Sequence, residues 1–336
     1  MNIKDNILQL AKQSNGRIIM PESFDIRVLK AAQQLIHNEI GKVIIPINSN
    51  KEWNQIKSIS FQNNIDLDGI ETVYINIDLL EQNEVQKFIT KMAKKNIHLN
   101  VALDLLQTSL YFSMMYLKSK KCDACICGAV YDTADVLRAG LRVLGVAEGI
   151  KKISSYFLML PPKNHYLVTK PVLFTDCAVN PEPNACTLRD ITVATIKSFK
   201  KIFPNESVNV SMLSFSTKGS SNSKVLDKII KATELIKTYF KGTTDINIDG
   251  ELQFDASVVP VIGKRKAPHS SVAGIANILV FPDLNSGNIG YKIAERYGAF
   301  QALGPIIQGF SLPVSDLSRG SNTEDIYLTS AILLIK

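Results

Sequence analysis

Short apolar runs ended by proline, glycine or a polar residue alternate along this chain with segments whose apolar residues recur every three to four positions. That alternation constrains the fold more than any other feature. Arg17 to Pro21 is the first such run. Ile26, Leu29, Ala32 and Ile36 then repeat at helical spacing before Gly41, and Lys42 to Pro46 reads as a second strand, completing one β-α-β unit. The pattern predicts a further strand over Val73–Ile75, helices around Leu80–Lys94 and Thr108–Lys120, a strand over Ala124–Cys127 and a helix over Thr133–Leu141. Strands that alternate with helices imply a mainly parallel sheet covered on both faces.

After Gly149 the pattern changes. Two apolar runs, Ser154–Leu160 and Tyr166–Phe174, flank Pro161-Pro-Lys-Asn-His165 and predict an antiparallel hairpin. Alternation then resumes with a helix from Asn184 to Ile202, a strand Val208–Leu213, a helix Ser223–Phe240, a strand Ile278–Phe281, a helix Asn288–Tyr297, a strand Ile306–Gln308 and a final helix near Thr323–Leu334. A length of 336 residues suits two domains at roughly 150 residues each. The boundary falls near Gly145–Gly149. Periodicity leaves open which domain takes the last strand and helix.

The net charge of +7 raises nucleic acid as a ligand class, but the basic residues are scattered, with short clusters at Lys118–Lys121, Lys151–Lys152 and Lys264–Lys266. No aromatic residues interleave with them, so solvated lysine faces and anionic small ligands are expected, not nucleic acid. Cys122-Asp-Ala-Cys125-Ile-Cys127 resembles half a metal site but lacks a second Cys/His pair at matching distance, and its apolar neighbours suit a buried strand. No metal is expected. Cys177 and Cys186 complete an odd set of five cysteines without disulfide spacing, which points to a reducing compartment. No stretch approaches about 18 uninterrupted apolar residues, and the N-terminus has no signal-peptide core, so the expected location is the cytoplasm, away from the membrane.

Ligands of parallel α/β sheets bind beyond the carboxyl ends of strands, and five loops there are candidates. In Cys127-Gly-Ala-Val-Tyr-Asp-Thr-Ala-Asp-Val-Leu-Arg138, Gly128 lets backbone approach a ligand, Thr133 is a helix cap, and Arg138 follows in the helix. The same residues also read as an ordinary capped loop with a surface arginine. Asp176-Cys-Ala-Val-Asn-Pro-Glu-Pro-Asn184 is a rigid turn before a helix. Ser214-Phe-Ser-Thr-Lys218-Gly-Ser-Ser-Asn-Ser-Lys224 offers hydroxyls, glycine and lysine to a phosphate without the order of a Walker loop. Asn285-Ser-Gly-Asn-Ile-Gly-Tyr291-Lys292 reads as a turn before a helix. In Pro313-Val-Ser-Asp-Leu-Ser318-Arg319-Gly-Ser-Asn-Thr-Glu-Asp325, Ser321-x-x-Glu324 reads as a capping box, which gathers Ser318, Arg319 and Asp325 at a positive helix end. No Ser-His-Asp arrangement emerges from His37, His98, His165 and His269.

Gly128–Arg138, Phe174–Pro181, Met212–Gly219, Asp249–Asp255, Asn288–Lys292, Gly304–Gly309 and Pro313–Gly320, in that order, resemble the phosphate acetyl/butyryl transferase family over nearly the whole chain from Arg17 onward. The resemblance implies two α/β domains of the isocitrate/isopropylmalate dehydrogenase-like kind with a cleft between them, spanning residues 1–147 plus 306–336 and residues 148–305. It implies a homodimer that acts on acetyl phosphate, phosphate and coenzyme A, with coenzyme A as a substrate and no tightly bound cofactor. Butyryl phosphate is the neighbouring alternative substrate, and a non-catalytic acyl-CoA-sensing module the alternative role. Ser318, Arg319 and Asp325 match the family's catalytic positions. Arg138 matches an arginine implicated in coenzyme A or phosphate binding, and Gly128, Thr133, Ser214, Lys218 and Tyr291 lie in the resemblant loops. The family's basic, glycine-ended Arg-x-x-Lys-Gly segment is replaced by Lys91-Met-Ala-Lys94-Lys95-Asn-Ile. Lys94 and Lys95 there supply point charge without a bidentate fork.

Overall fold

A computed structural model describes residues 3–165, 167–168 and 170–336. The chain divides into two compact units, Met1–Gly149 with Phe310–Lys336, and Ile150–Gly309. The return to the first unit comes at Phe310, not at residue 306. Gln301–Gln308 is one continuous strand, paired along Ser154–Leu160, and so stays within the second unit.

Among the described residues the first unit's sheet is parallel throughout, in the order Glu71–Tyr74, Lys42–Ile47, Arg17–Ile19, Ala124–Cys127, Val314–Asp316. Its central strands are apolar on successive residues because both faces are covered: every residue of Ala124–Cys127 is buried, and all of Lys42–Ile47 beyond the lysine. The helix Thr323–Leu334 has no polar face, and from Asp325 to Leu334 every residue is buried, as a helix surrounded by protein requires. The helix Ile26–His37 is capped by Asp25, whose side chain accepts from the Arg27 N–H, and buries Val28, Leu29, Ala31, Ala32 and Leu35. Each fully buried aliphatic side chain contributes about 1.5–3 kcal/mol.

The second unit's sheet runs in the order Gln301–Gln308, Ser154–Leu160, Val172–Thr175, Ile278–Val280, Val208–Leu213, Ile246–Leu252. The first two pairings are antiparallel and the rest parallel, so the hairpin is present. Its second strand begins at Val172 rather than at residue 166, and Tyr166 and Thr169 lie outside the described residues. Phe157, Phe174, Leu213, Leu252, Leu279 and Tyr291 form the heart of this unit's core.

Candidate active site

Three neighbouring strands of the first unit deliver their carboxyl ends side by side, with Ile19 opposite Cys125 and Cys127 opposite Asp316. The loops that follow are therefore adjacent: Met20–Asp25, Gly128–Asp132 and Leu317–Asn322. Gly128 permits this closeness. A Cβ there would lie 2.4 Å from the Leu317 nitrogen and 2.5 Å from the Asp316 Oδ1, and its φ of +102° is one that side chains disfavour.

The backbone N–H groups of the Gly128 turn converge on an anion, as the glycine suggests, but that anion is a carboxylate of this chain. Glu22 accepts from Gly128 (3.1 Å), Val130 (2.8 Å) and Tyr131 (2.7 Å) at Oε1 and from Ala129 (2.9 Å) at Oε2. Glu22 is itself buried, so these bonds replace its lost water. The turn's donors are thus engaged internally, and the helix Thr133–Val143 has Asp132, not Thr133, as its cap residue. Arg27 adds a second tie. Its guanidinium is held by Asp25 (2.7 Å) and donates to the carbonyls of Arg319 (2.7 Å), Ser321 (2.8 Å) and Ala129 (3.0 Å).

Ser318 and Arg319 lie on the loop that precedes the Thr323–Leu334 helix, and Asp325 lies in its first turn. The capping box lies one residue beyond the expected Ser321–Glu324 pair. Asn322 Oδ1 accepts from the Asp325 N–H at 3.0 Å, and Asp325 Oδ2 accepts from the Asn322 N–H at 3.0 Å. Glu324 instead points outward to Lys4. The box fixes the orientation of the buried Asp325 carboxylate. Ser318 is half-buried, and its Oγ accepts from the Gly320 N–H at 3.3 Å. Arg319 is exposed and paired with Asp132. Asp316, which ends the preceding strand, is 1% exposed. Burial pushes its pKa up to about 7; the Thr133 side chain works against this and the Glu22 charge with it.

Arg138 lies on the Thr133–Val143 helix, exposed, with its guanidinium on Asp135. Lys94 and Lys95 are exposed at the end of the Gln82–Ala93 helix. A depression of about 340 Å³ there is lined by Gln86, Lys87, Thr90, Lys91 and Lys94. Lys91 is half-buried, donates to the Leu141 carbonyl at 2.7 Å, and has its pKa lowered by burial and by the charges of Lys95 and Lys118. Asn96 has φ +58°, a left-handed backbone conformation that asparagine tolerates better than most residues.

In the second unit, the Ser214–Lys224 loop is likewise satisfied by its own unit. Lys218 Nζ donates to Asp249 (2.6 Å) and to the Gly250 carbonyl (3.0 Å), and Glu251 accepts from the Gly219 N–H at 2.6 Å. Ser214 Oγ accepts from the Ser216 N–H at 3.3 Å. Asn285–Lys292 is not a turn. The Leu284–Arg296 helix already contains it, and Gly287 is needed because a Cβ would lie 2.3 Å from the Asp176 carbonyl oxygen. Tyr291 is buried and stacked on Phe157 at 4.1 Å, and burial pushes its pKa up to about 12. Asp176 locks its turn by accepting from Ser155, Ala178, Val179 and Asn180. Cys122, Cys125, Cys127 and Cys177 are buried, Cys186 is exposed, and none is in a disulfide. Among the described residues no three His, Cys, Asp or Glu side chains gather as metal ligands.

A sequence profile described as Phosphate acetyl/butaryl transferase matches residues 2–334. The chain belongs to this family. A phosphate acetyltransferase of Clostridium acetobutylicum is 38% identical over 336 residues, covering 100% of this chain and 98% of the relative. A crystal structure of a phosphotransacetylase from Streptococcus pyogenes matches with a TM-score of 0.86 at 35% identity, covering 100% of this chain and 98% of the other. A 4-hydroxythreonine-4-phosphate dehydrogenase from Klebsiella pneumoniae, 9% identical with a TM-score of 0.53, shares the fold alone over 95% of this chain and 98% of its own.

As an acyltransferase of the phosphate acetyl/butaryl transferase family, the chain carries two polar ties that its spacing patterns do not point to, Glu22 and Arg27. A signal for them exists. Pro21-Glu22 sets a carboxylate at the end of a parallel strand, where loop N–H groups and helix starts attract anions, and Asp25-Ile-Arg27 follows in the helix cap.

Proposed function

We propose that this chain transfers acetyl between acetyl phosphate and coenzyme A, and that Ser318, Arg319 and Asp325 carry the reaction. In the synthetic direction the thiol sulfur bonds to the carbonyl carbon and the bond from that carbon to the bridging phosphate oxygen breaks. The thiol proton passes to a base and then to the departing phosphate. A free thiol is a weak nucleophile near neutral pH because its ordinary pKa is about 8.5, so a carboxylate beside it raises the reactive fraction. Asp325 is that base. Its place in the capping box supports the role, since a carboxylate tied at one oxygen to backbone keeps a constant aim.

Arg319 grips the phosphate. Its present partner, Asp132, is an exposed carboxylate, and exposed ion pairs are worth only about 0–1 kcal/mol, so a dianionic phosphate displaces it readily and gains a bidentate fork. Ser318 donates to the carbonyl oxygen as charge develops on it. Lys91, Lys94 and Lys95 attract the phosphates of coenzyme A, with Arg138 as a further anchor. The single observation that carries this reading is the placement of Ser318, Arg319 and Asp325 on one loop and helix start, held by the Asn322–Asp325 box.

The same reading includes a cytoplasmic homodimer without a tightly held cofactor. The family resemblance supports the dimer, and the unpaired cysteines support a reducing location. Sedimentation tests the dimer. Comparing kcat/KM for acetyl and butyryl phosphate with coenzyme A tests the acyl assignment: acetyl is preferred on this reading, and a higher value for butyryl phosphate reverses it.

A further inference from the structure

The Glu22 and Arg27 ties have a shape that stability alone does not require. Glu22 collects four successive N–H groups of one turn, and Arg27 reaches three carbonyls on two different loops. One of those carbonyls belongs to Arg319, the residue assigned to the phosphate, and another to Ser321, which lies between Arg319 and Asp325 in the chain. The third belongs to Ala129, inside the turn that Glu22 holds. The two residues come from one short stretch, Pro21 to Arg27, and they close a loop of contacts: Glu22 to the Gly128 turn, Ala129 to Arg27, Arg27 to the Ser318–Ser321 loop.

We propose that Glu22 and Arg27 are positioning residues for acyl transfer, with Glu22 standing as a built-in anion in the Gly128–Tyr131 turn and Arg27 bridging that turn to the backbone of Arg319 and Ser321. This rests on the reading of Ser318 and Arg319 above. Two consequences follow from the geometry. The turn presents no open nest to a substrate phosphate, because an internal carboxylate fills it. The carbonyl of Arg319 is anchored while its side chain stays exposed, so the guanidinium swings on a fixed backbone. Errors of about 1 Å in such an anchor are enough to cost about 100-fold in rate.

The chemistry of the nest supplies its own test. Glu22→Ala removes the carboxylate and leaves four unpaired N–H donors around a space of carboxylate size. Formate is a carboxylate of that size and is not a substrate of the reaction. Glu22→Ala should lower kcat by about 100-fold with the KM for coenzyme A little changed, and added formate should restore much of the rate. Glu22→Leu, which fills the space with hydrocarbon, should be slow and unresponsive to formate. Amide hydrogen exchange gives a readout that does not depend on turnover: protection at Gly128–Tyr131 should fall in Glu22→Ala and return with formate. If wild-type protein forms no acetyl-CoA, the functional reading fails while the exchange result still judges the nest. Should Glu22→Ala not fold, Glu22→Gln keeps the shape and one acceptor oxygen, and its kcat should fall by about 10-fold with coenzyme A affinity retained. Arg27→Lys, which keeps the charge but cannot reach three carbonyls, should likewise lose kcat. The proposal is overturned by a folded Glu22→Ala or Glu22→Gln variant with wild-type kcat, by a rate loss in Glu22→Ala that formate leaves untouched, or by wild-type kcat in Arg27→Lys.

Discussion

Replacing Asp316 by asparagine should make the protein's stability less sensitive to pH. Asp316 is 1% exposed, and burial, with the like charge of Glu22 nearby, pushes its pKa up to about 7 from an ordinary 3.8, against the pull of the Thr133 side chain. The folded state therefore keeps the proton to higher pH than the unfolded chain does. Stability associated with the neutral carboxyl is complete below about pH 3.8 and is lost as pH rises through about 7. The full effect is about 4 kcal/mol at about 1.4 kcal/mol per pH unit, and the part that falls between about pH 5 and about pH 8 is about 2–3 kcal/mol. Asparagine is neutral throughout and nearly isosteric. Urea unfolding of both proteins across this range cancels the titration of every group they share. The difference should move in favour of Asp316→Asn by about 2–3 kcal/mol on going from about pH 5 to about pH 8. Adding Glu22→Gln to the wild type should shrink the slope. A stability difference between wild type and Asp316→Asn that stays constant with pH would refute the reasoning.

Gly128→Ala should destabilise the first unit by more than the about 1–3 kcal/mol of backbone strain alone, since its Cβ would overlap the Leu317 nitrogen, and an unchanged urea midpoint contradicts this. In the Lys94→Ala/Lys95→Ala variant the KM for coenzyme A should rise and lose its dependence on ionic strength, with kcat little altered, because point-charge attraction is screened over about 10 Å at about 0.1 M salt. An unchanged KM at every salt concentration removes these lysines from coenzyme binding. Arg319→Lys should weaken acetyl phosphate by about 10-fold or more while leaving coenzyme A affinity in place, since a lysine cannot form the fork; equal KM values for both proteins count against the assignment.

Fold elements that bury apolar residues on all sides were the legible ones. The strands Ala124–Cys127, Ser154–Leu160 and Val208–Leu213 and the helix Thr323–Leu334 stand where their apolar runs place them. Elements with polar duties escape the same reading. The strand Ile246–Leu252 carries Asp249, Gly250 and Glu251 because its end feeds carboxylates to the Ser214–Lys224 loop. The helix Asn50–Gln62 buries only Ile56 and Ser60, so its period is faint, and Val314–Asp316 is too short to show one. The helix start that carries Ser318, Arg319 and Asp325 was legible. The register of their cap was not, because Ser321-x-x-Glu324 and Asn322-x-x-Asp325 both fit the pattern and only packing chooses between them. Two loops expected to hold a phosphate have N–H groups that donate to carboxylates of this chain instead. Their anions are Glu22, more than 100 positions from the Gly128 turn, and Glu251, 32 from Gly219, and no local spacing links such partners.

The consumption of coenzyme A thiol by acetyl phosphate, compared between wild type and Asp325→Asn with no metal added, tests the central claim most directly. Wild type should form acetyl-CoA with release of phosphate. Asp325→Asn, which can keep the cap bond to the Asn322 N–H, should lower kcat by about 10²–10⁴ while each KM stays within a few fold. A variant that turns over at the wild-type rate would contradict the account, because the thiol proton would then have another acceptor.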